Sequence, residues 1–153
     1  MSRKRCVRRH WALVDPIQHA ILGASIASES RLDKLRIKEL SAIEAFSKGQ
    51  AGPSDFRDIC DLLNVAQGMG EQGIGPEVLP VCDEVECALL RVKTQYEQTN
   101  SMTLRSGELK AMRDLFEYHD LQRKSVHLST YEKSIRKVVN RIKSAHPSVK
   151  VLT

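Results

Sequence analysis

Basic residues at the two ends of the chain are the side chains whose types and spacing suggest chemistry. Residues 1–14 hold five basic and no acidic residues, and a predicted C-terminal helix carries basic residues on most of the surface that its apolar face leaves. Lysine and arginine at such density contact phosphates along a nucleic-acid backbone, in a sequence-independent and salt-sensitive way. The predicted nucleic-acid-binding residues are Arg3, Arg5, Arg8, Arg9, Lys133, Arg136, Lys137, Arg141 and Lys143.

The net charge of +5 conceals a division along the chain. Residues 55–97 hold nine acidic against three basic residues, a net charge of −6, whereas residues 123–150 hold eight basic against one acidic, a net charge of +7. Such asymmetry indicates an acidic protein partner or a nucleic acid. It is equally compatible with basic residues that are solvated, or that pair with the acidic segment of the same chain. Both interpretations stay open at this point.

Other titratable residues give no catalytic pattern. His119 is followed by Asp120, but adjacent residues on a helix point about 100° apart, so they form no ready dyad and His119 is expected at the edge of the core. The acidic group formed by Asp83, Glu84 and Glu86 lies near the start of a predicted helix, where negative charge complements the helix dipole. We therefore predict a non-enzymatic protein with no catalytic residue, no metal ligand and no cofactor.

The stretch Ser54–Gly73 is the element around which the others are expected to pack. Read as a helix, it has one narrow polar stripe and is apolar over most of its circumference. A helix of this kind must be covered on more than one side. The residues of the polar stripe are Arg57, Asp61, Asn64, Gly68 and Glu71.

Four further helices are predicted from apolar residues at helical spacing. A first helix is capped by Ser30 and has Leu40 on its buried face, Ser54 caps the central helix, and Ser129 with Glu132 forms a capping box for the last helix. No stretch alternates with the period of a strand, so the predicted fold is all-α, a bundle of four to five main helices with short loops. The predicted divisions are a basic N-terminal arm with a short helical turn (1–27), one helical-bundle domain (28–146) and a C-terminal tail (147–153).

Composition sets the expected compartment. No run approaches the roughly 20 apolar residues that cross a bilayer, and the apolar stretch after the basic start is too short for a secretory signal. We therefore expect a cytoplasmic protein with no membrane partner. The four cysteines are not arranged in pairs, and we expect reduced structural thiols.

Two segments of the chain carry a likeness to known sequences, residues 56–66 (FRDICDLLNVA) and Thr103-Leu104-Arg105 with Glu108-Leu109. Together with the order and spacing of the helices over residues 35–145, they resemble a group of small helical proteins of bacterial genomes, often encoded near prophage or other mobile-element genes. The chain departs from that group at Gln67-Gly68 and in its basic arm. The group has no assigned activity, so the resemblance implies a context and no site residues.

These observations favour a non-enzymatic binding protein of phage or mobile-element type. Its basic arm and last helix are expected to engage nucleic acid or an acidic protein surface, in regulation. The alternative is a protein–protein interaction module, an accessory or inhibitor protein that acts on a host protein, with an exposed apolar patch between helices. A homo-oligomer is compatible with either function.

Overall fold

The computed structural model describes residues 29–144, and every regular element in that range is helical. The predicted all-α class with four to five main helices is confirmed. The predicted arm (1–27) and tail (147–153) lie outside the described residues, and so do Arg3, Arg5, Arg8 and Arg9. The elements are α1 (Glu29–Ser47), α2 (Pro53–Glu71), a 3-10 turn (Pro76–Val78), α3 (Leu79–Thr99), α4 (Ser106–Ser125) and α5 (Leu128–Ser144).

Helix α2 is the central element, as its apolar circumference predicts. It packs against each of the other four helices, and every residue from Leu62 to Gly70 is buried. Its polar stripe is nevertheless covered as well, because Asn64 is only 5% exposed and Gly68 lies beneath α5. The middle of the stripe is therefore part of the packing of α2, while Arg57, Asp61 and Glu71 stay partly exposed.

The start of α2 differs from the prediction that Ser54 caps it. Gly52 occupies the cap position in an extended conformation, and Pro53 is the first helical residue. Proline fits there because the first helical N–H has no partner within the helix. Asp55 completes this start, since its Oδ2 accepts a hydrogen bond from the Gly52 backbone N–H at 2.9 Å. Ser54 thus lies inside the first turn.

The last helix also starts earlier than the sequence pattern suggests. Helix α5 begins at Leu128, and the carbonyl of His127 accepts a hydrogen bond from the Tyr131 N–H at 3.1 Å. Because this carbonyl makes the first intrahelical bond, the cap position falls on His127 and Ser129 lies in the first turn. The predicted Ser129–Glu132 capping box is wrong by two residues. Helix α1, which begins at Glu29, likewise includes the predicted cap Ser30.

Two groups of apolar side chains hold the helices together. The first, called the main core, fills the space between the C-terminal half of α1 and helices α2, α3 and α4, with Phe56, Leu89 and Leu115 among its fully buried members. The second core is smaller and joins α5 to α2, flanked by Leu32 and Leu35 of α1. Its buried residues are Val65, Met69, Tyr131, Ile135, Val138, Val139 and Ile142.

One residue assigned to the buried face of α1 is on the wrong side. Leu40 is 47% exposed, and its neighbour Glu39 is buried at 4% exposure. The residues at spacing of three and four along the true inner face are Leu35, Glu39, Ala42, Ile43 and Phe46. A glutamate therefore stands in a row of apolar residues, where it needs a partner in the interior.

No helix among residues 29–144 is both long enough and apolar enough to pass through a bilayer.

Candidate nucleic-acid interface

Helix α5 rests on α2 through an apolar face at close range. Gly68 of α2 lies directly under Val138, whose side chain would clash with a Cβ atom at that position. Because glycine has no side chain, the two helices approach each other closely at this point. All five predicted apolar residues of α5, from Tyr131 to Ile142, are buried. The opposite face of α5 is consequently turned outward.

Four predicted cationic residues stand on this outward face. Lys133, Arg136, Lys137 and Lys143, here called the basic stripe, are all exposed, and Asn140 is exposed among them. Residues three and four apart on a helix share one side, and ten residues span about 15 Å. None of the four forms an ion pair with another residue whose side chain the structure describes, that is, in residues 32–127 and 129–144. The stripe therefore offers cationic groups that other parts of the described chain leave available.

Arg141 has a different environment from the other four predicted residues. Its Nη1 forms an ion pair with Oε2 of Glu71 on α2, and its side chain is 37% exposed. It lies at the border of the α2–α5 contact, where its charge is compensated within the protein. The interpretation that basic residues pair with the acidic segment of the chain thus holds for Arg141 and not for the basic stripe.

A buried polar network lies behind α5, and sequence reasoning missed it. The Tyr131 hydroxyl contacts Arg123 Nε at 3.3 Å and His119 Nε2 at 3.4 Å. On its other side the His119 ring meets Gln122 Oε1 through Nδ1, at 2.8 Å. Arg123 in turn forms a buried ion pair with Glu39 of α1. One chain of contacts therefore links α1, α4 and α5.

The burial of this network decides which protonation states it holds. Burial, with the nearby Arg123 cation, lowers the pKa of His119 well below its ordinary value, so the imidazole is neutral. Burial also opposes the charge of Arg123, but Glu39 and Tyr131 outweigh it and raise the pKa of Arg123. The pKa of Glu39 is raised by burial, against the effect of Arg123. His119 is 0% exposed, so the network positions helices and has no access to a substrate.

Gln122 extends the same network to the central helix. Its Nε2 donates hydrogen bonds to the carbonyl oxygens of Ala66 at 3.2 Å and Ile74 at 2.7 Å. The second carbonyl belongs to the connection between α2 and the 3-10 turn, where Gly75 has φ +57 and packs against the Gln122 side chain. The sequence does contain a signal for this network. Gln122 and Arg123 continue the row of Leu115, Phe116 and His119 at helical spacing, which indicates that both side chains lie on the buried face of α4.

A second buried ionisable site lies where α1 meets α2. Lys38 Nζ forms an ion pair with Asp58 Oδ1 at 2.8 Å. Burial raises the pKa of the neighbouring Asp61 to about 8, while Lys38 acts against the rise and Asp58 adds to it. The carboxyl of Asp61 therefore changes its charge close to neutral pH, although the sequence presented it only as a member of the polar stripe.

The predicted acidic group of α3 does not lie at the N-terminal end of the helix, where the helix dipole would favour negative charge. Helix α3 begins at Leu79, so Asp83, Glu84 and Glu86 all lie beyond its first turn. Asp83 and Glu84 are exposed, whereas Glu86 is buried at 7% exposure. The dipole explanation is therefore wrong for this group. A 3-10 turn directly precedes α3, and Glu77 is the acidic residue that lies in this turn.

The connection between α4 and α5 can be compared with a helix-turn-helix motif, in which two helices at about 90–120° are joined by a turn of three to four residues. Only Val126 and His127 separate the two helices. Helix α5 packs mainly on α2, and its contact with α4 runs through the Tyr131 hydroxyl. The arrangement thus presents α5 as an outer helix on the bundle.

Comparison with known proteins adds no relative, since the chain matches no protein-family model, no curated protein and no solved structure.

Proposed function

We propose that the protein is a non-enzymatic, regulatory nucleic-acid-binding protein of phage or mobile-element type, and that the basic stripe of α5 contacts the phosphate backbone. The single observation that carries the proposal is the separation of charges on α5. Arg141 is neutralised by Glu71, while Lys133, Arg136, Lys137 and Lys143 are exposed and have no acidic partner among the described side chains of residues 32–127 and 129–144.

The chemistry of the stripe fits a backbone contact. Cationic side chains that neutralise phosphates release condensed counterions, which supplies most of the free energy of non-specific binding. The stripe is about 15 Å long, the distance over which duplex DNA presents about nine phosphate charges at one per about 1.7 Å. The predicted arm residues Arg3, Arg5, Arg8 and Arg9 would add further contacts of the same kind.

The apolar anchoring of α5 supports the same function. Because its inner face is held by Ile135, Val138 and Ile142, the helix presents its cations from a fixed backbone. Fixed cations lose less conformational freedom on binding than cations on an unstructured segment. The His119 side chain is fully buried between Gln122 and Tyr131, which supports a role for it in packing.

The test is binding of the full chain to mixed-sequence DNA and RNA, followed by fluorescence anisotropy at about 50 mM salt, where phosphate contacts are strongest. A stripe variant replaces Lys133, Arg136, Lys137 and Lys143 by glutamine. We expect it to lose at least about tenfold in affinity, since it removes up to four phosphate contacts.

The matched control replaces four exposed lysines outside α5 by glutamine, which lowers the net charge by the same amount. We expect the control to bind nearly as tightly as the unmodified protein. Negligible binding by the unmodified protein at about 50 mM salt would contradict the proposal, and so would equal losses in the two variants. The control positions are Lys34, Lys48, Lys110 and Lys124.

A further inference from the structure

Several large apolar side chains are exposed on the outer surfaces of α1 and α4. In the range 29–144 the large apolar residues with high exposure are Ile37 (62%), Leu40 (47%), Tyr118 (38%) and Leu121 (62%). The first two belong to α1 and the last two to α4, and these helices are neighbours. Single exposed apolar residues need no explanation, but a contiguous group of them marks a contact surface.

Ile37 and Leu40 border a groove between α1 and α4. Arg36 Nε of α1 lies 2.9 Å from Asp120 Oδ1 of α4, so an ion pair joins the two helices. An open groove of about 710 Å³ runs between the helices, with Ile37 and Leu40 in its wall. The buried side chains of Ile43 and Phe116 form part of its lining.

The charges around the groove indicate which partner fits. Glu44, Arg113 and Glu117 also line it, so both signs of charge occur within the same surface. In a two-fold symmetric interface each residue meets the partner's copy of another residue of the same patch, so a self-binding patch needs both signs. A strongly acidic or strongly basic partner would require a rim of one sign. The mixed rim therefore favours a second copy of this chain.

We propose that the groove between α1 and α4 is the interface of a homodimer. The two helices, of 19 and 20 residues, are each about 29 Å long and about 10 Å wide, so together they present about 580 Å². A standard interface covers roughly 800 Å² per partner. The available area lies below that value, so we expect a weak, reversible dimer that forms at high protein concentration. Helix α5 contributes no residue to the groove. Dimerisation through the groove therefore leaves the basic stripe uncovered.

Sedimentation equilibrium of the full chain, from about 1 µM to about 500 µM, measures the association directly. The expected result is a mass that rises with concentration from 17.2 kDa towards twice that value. The variants Leu40→Glu and Ile37→Glu each introduce a negative charge in the wall of the groove, where it would lie opposite its own symmetry mate or against apolar surface. Each is expected to raise the dissociation constant at least about tenfold.

Gln98→Glu is the matched control, because it adds the same charge at an exposed position of α3. It should leave the dissociation constant unchanged, and circular dichroism should show the same helical content in all variants. A chain that stays monomeric at about 500 µM overturns the proposal. A dimer that survives both groove variants also overturns it, since another surface would then form the contact. Neither result bears on nucleic-acid binding, which the stripe variant tests separately.

Discussion

The main core and the second core hold their helices by different means. The main core joins four helices and includes buried side chains from each of them, so no single contact holds any one helix. The second core joins α5 chiefly to α2, and it depends on close approach at Gly68, on the Tyr131 hydroxyl and on the Arg141–Glu71 pair. The helix that carries the candidate site is therefore the one with the fewest neighbours.

This difference indicates how stability and function are divided. Helices α1 to α4 can keep their shared core when α5 is released, whereas α5 has no fold of its own without α2. An isolated helix of 17 residues is marginal in water, so its order comes from packing. Changes in the main core are thus expected to affect the whole molecule, and changes in the second core chiefly α5.

The largest effect is expected from Leu115→Ala in the main core. Leu115 is 0% exposed, and removal of three methylene-sized groups leaves a cavity that costs about 2–5 kcal/mol of unfolding free energy. Urea unfolding followed by circular dichroism measures this loss. A single transition at a lower midpoint is expected, because α5 loses its support together with α2. A loss below about 0.5 kcal/mol would contradict the assignment of Leu115 to a close-packed core.

A smaller and more local effect is expected from Gly68→Ala. The added methyl group meets the Val138 side chain, and such overpacking costs about 1–3 kcal/mol. Hydrogen exchange should show faster exchange in residues 128–144 while α3 keeps its protection. Gly107→Ala is the matched control, because a Cβ atom there meets open space. Equal loss of protection in α3 and α5 would show that the two cores do not differ as described.

Per pH unit, the smallest expected effect is the pH dependence of stability that Asp61 introduces. In the unfolded chain this carboxyl titrates near 3.8, and in the folded protein at about 8, so between these values the folded state binds more protons. Stability then falls as pH rises through this range, by at most about 1.4 kcal/mol per pH unit. Asp61→Asn should reduce the fall in unfolding free energy between pH 5 and pH 8, measured by urea titration. Asp83→Asn, at an exposed position, controls for the loss of one carboxylate, and an Asp61 variant with an unchanged slope would contradict the assignment.

Apolar periodicity predicted the fold because burial in this protein follows helical spacing closely. The central position of α2 and the inner face of α5 both came from that pattern, and both are confirmed. The cap positions were less predictable, since Ser54 and Ser129 are good cap residues that nevertheless lie two residues after the true caps, within the first turn of their helices. Proline and glycine at Gly52-Pro53 determined the start of α2 instead.

The charged residues were less predictable for a different reason. Glu39 and Arg123 are 84 positions apart, and a buried charge is tolerated only when its partner is present. From the sequence alone we therefore placed Leu40, and not Glu39, on the buried face of α1. For the same reason we counted Arg123 among the basic residues of the C-terminal region, although its charge is paired in the interior. Arg141 and Glu71, 70 positions apart, form the same kind of long-range pair. The basic stripe was predictable because the apolar residues of the same helix define its buried face, and the basic residues lie on the face that remains outside.

The most direct test of the account is the salt dependence of duplex DNA binding by the unmodified protein and by the stripe variant. Each phosphate contact contributes about −0.9 to the slope of log K against log salt concentration. If all four stripe residues contact phosphates, the slope of the stripe variant should be shallower by about 3.6, and the control variant should keep the slope of the unmodified protein. Equal slopes for the stripe variant and the unmodified protein would contradict the account.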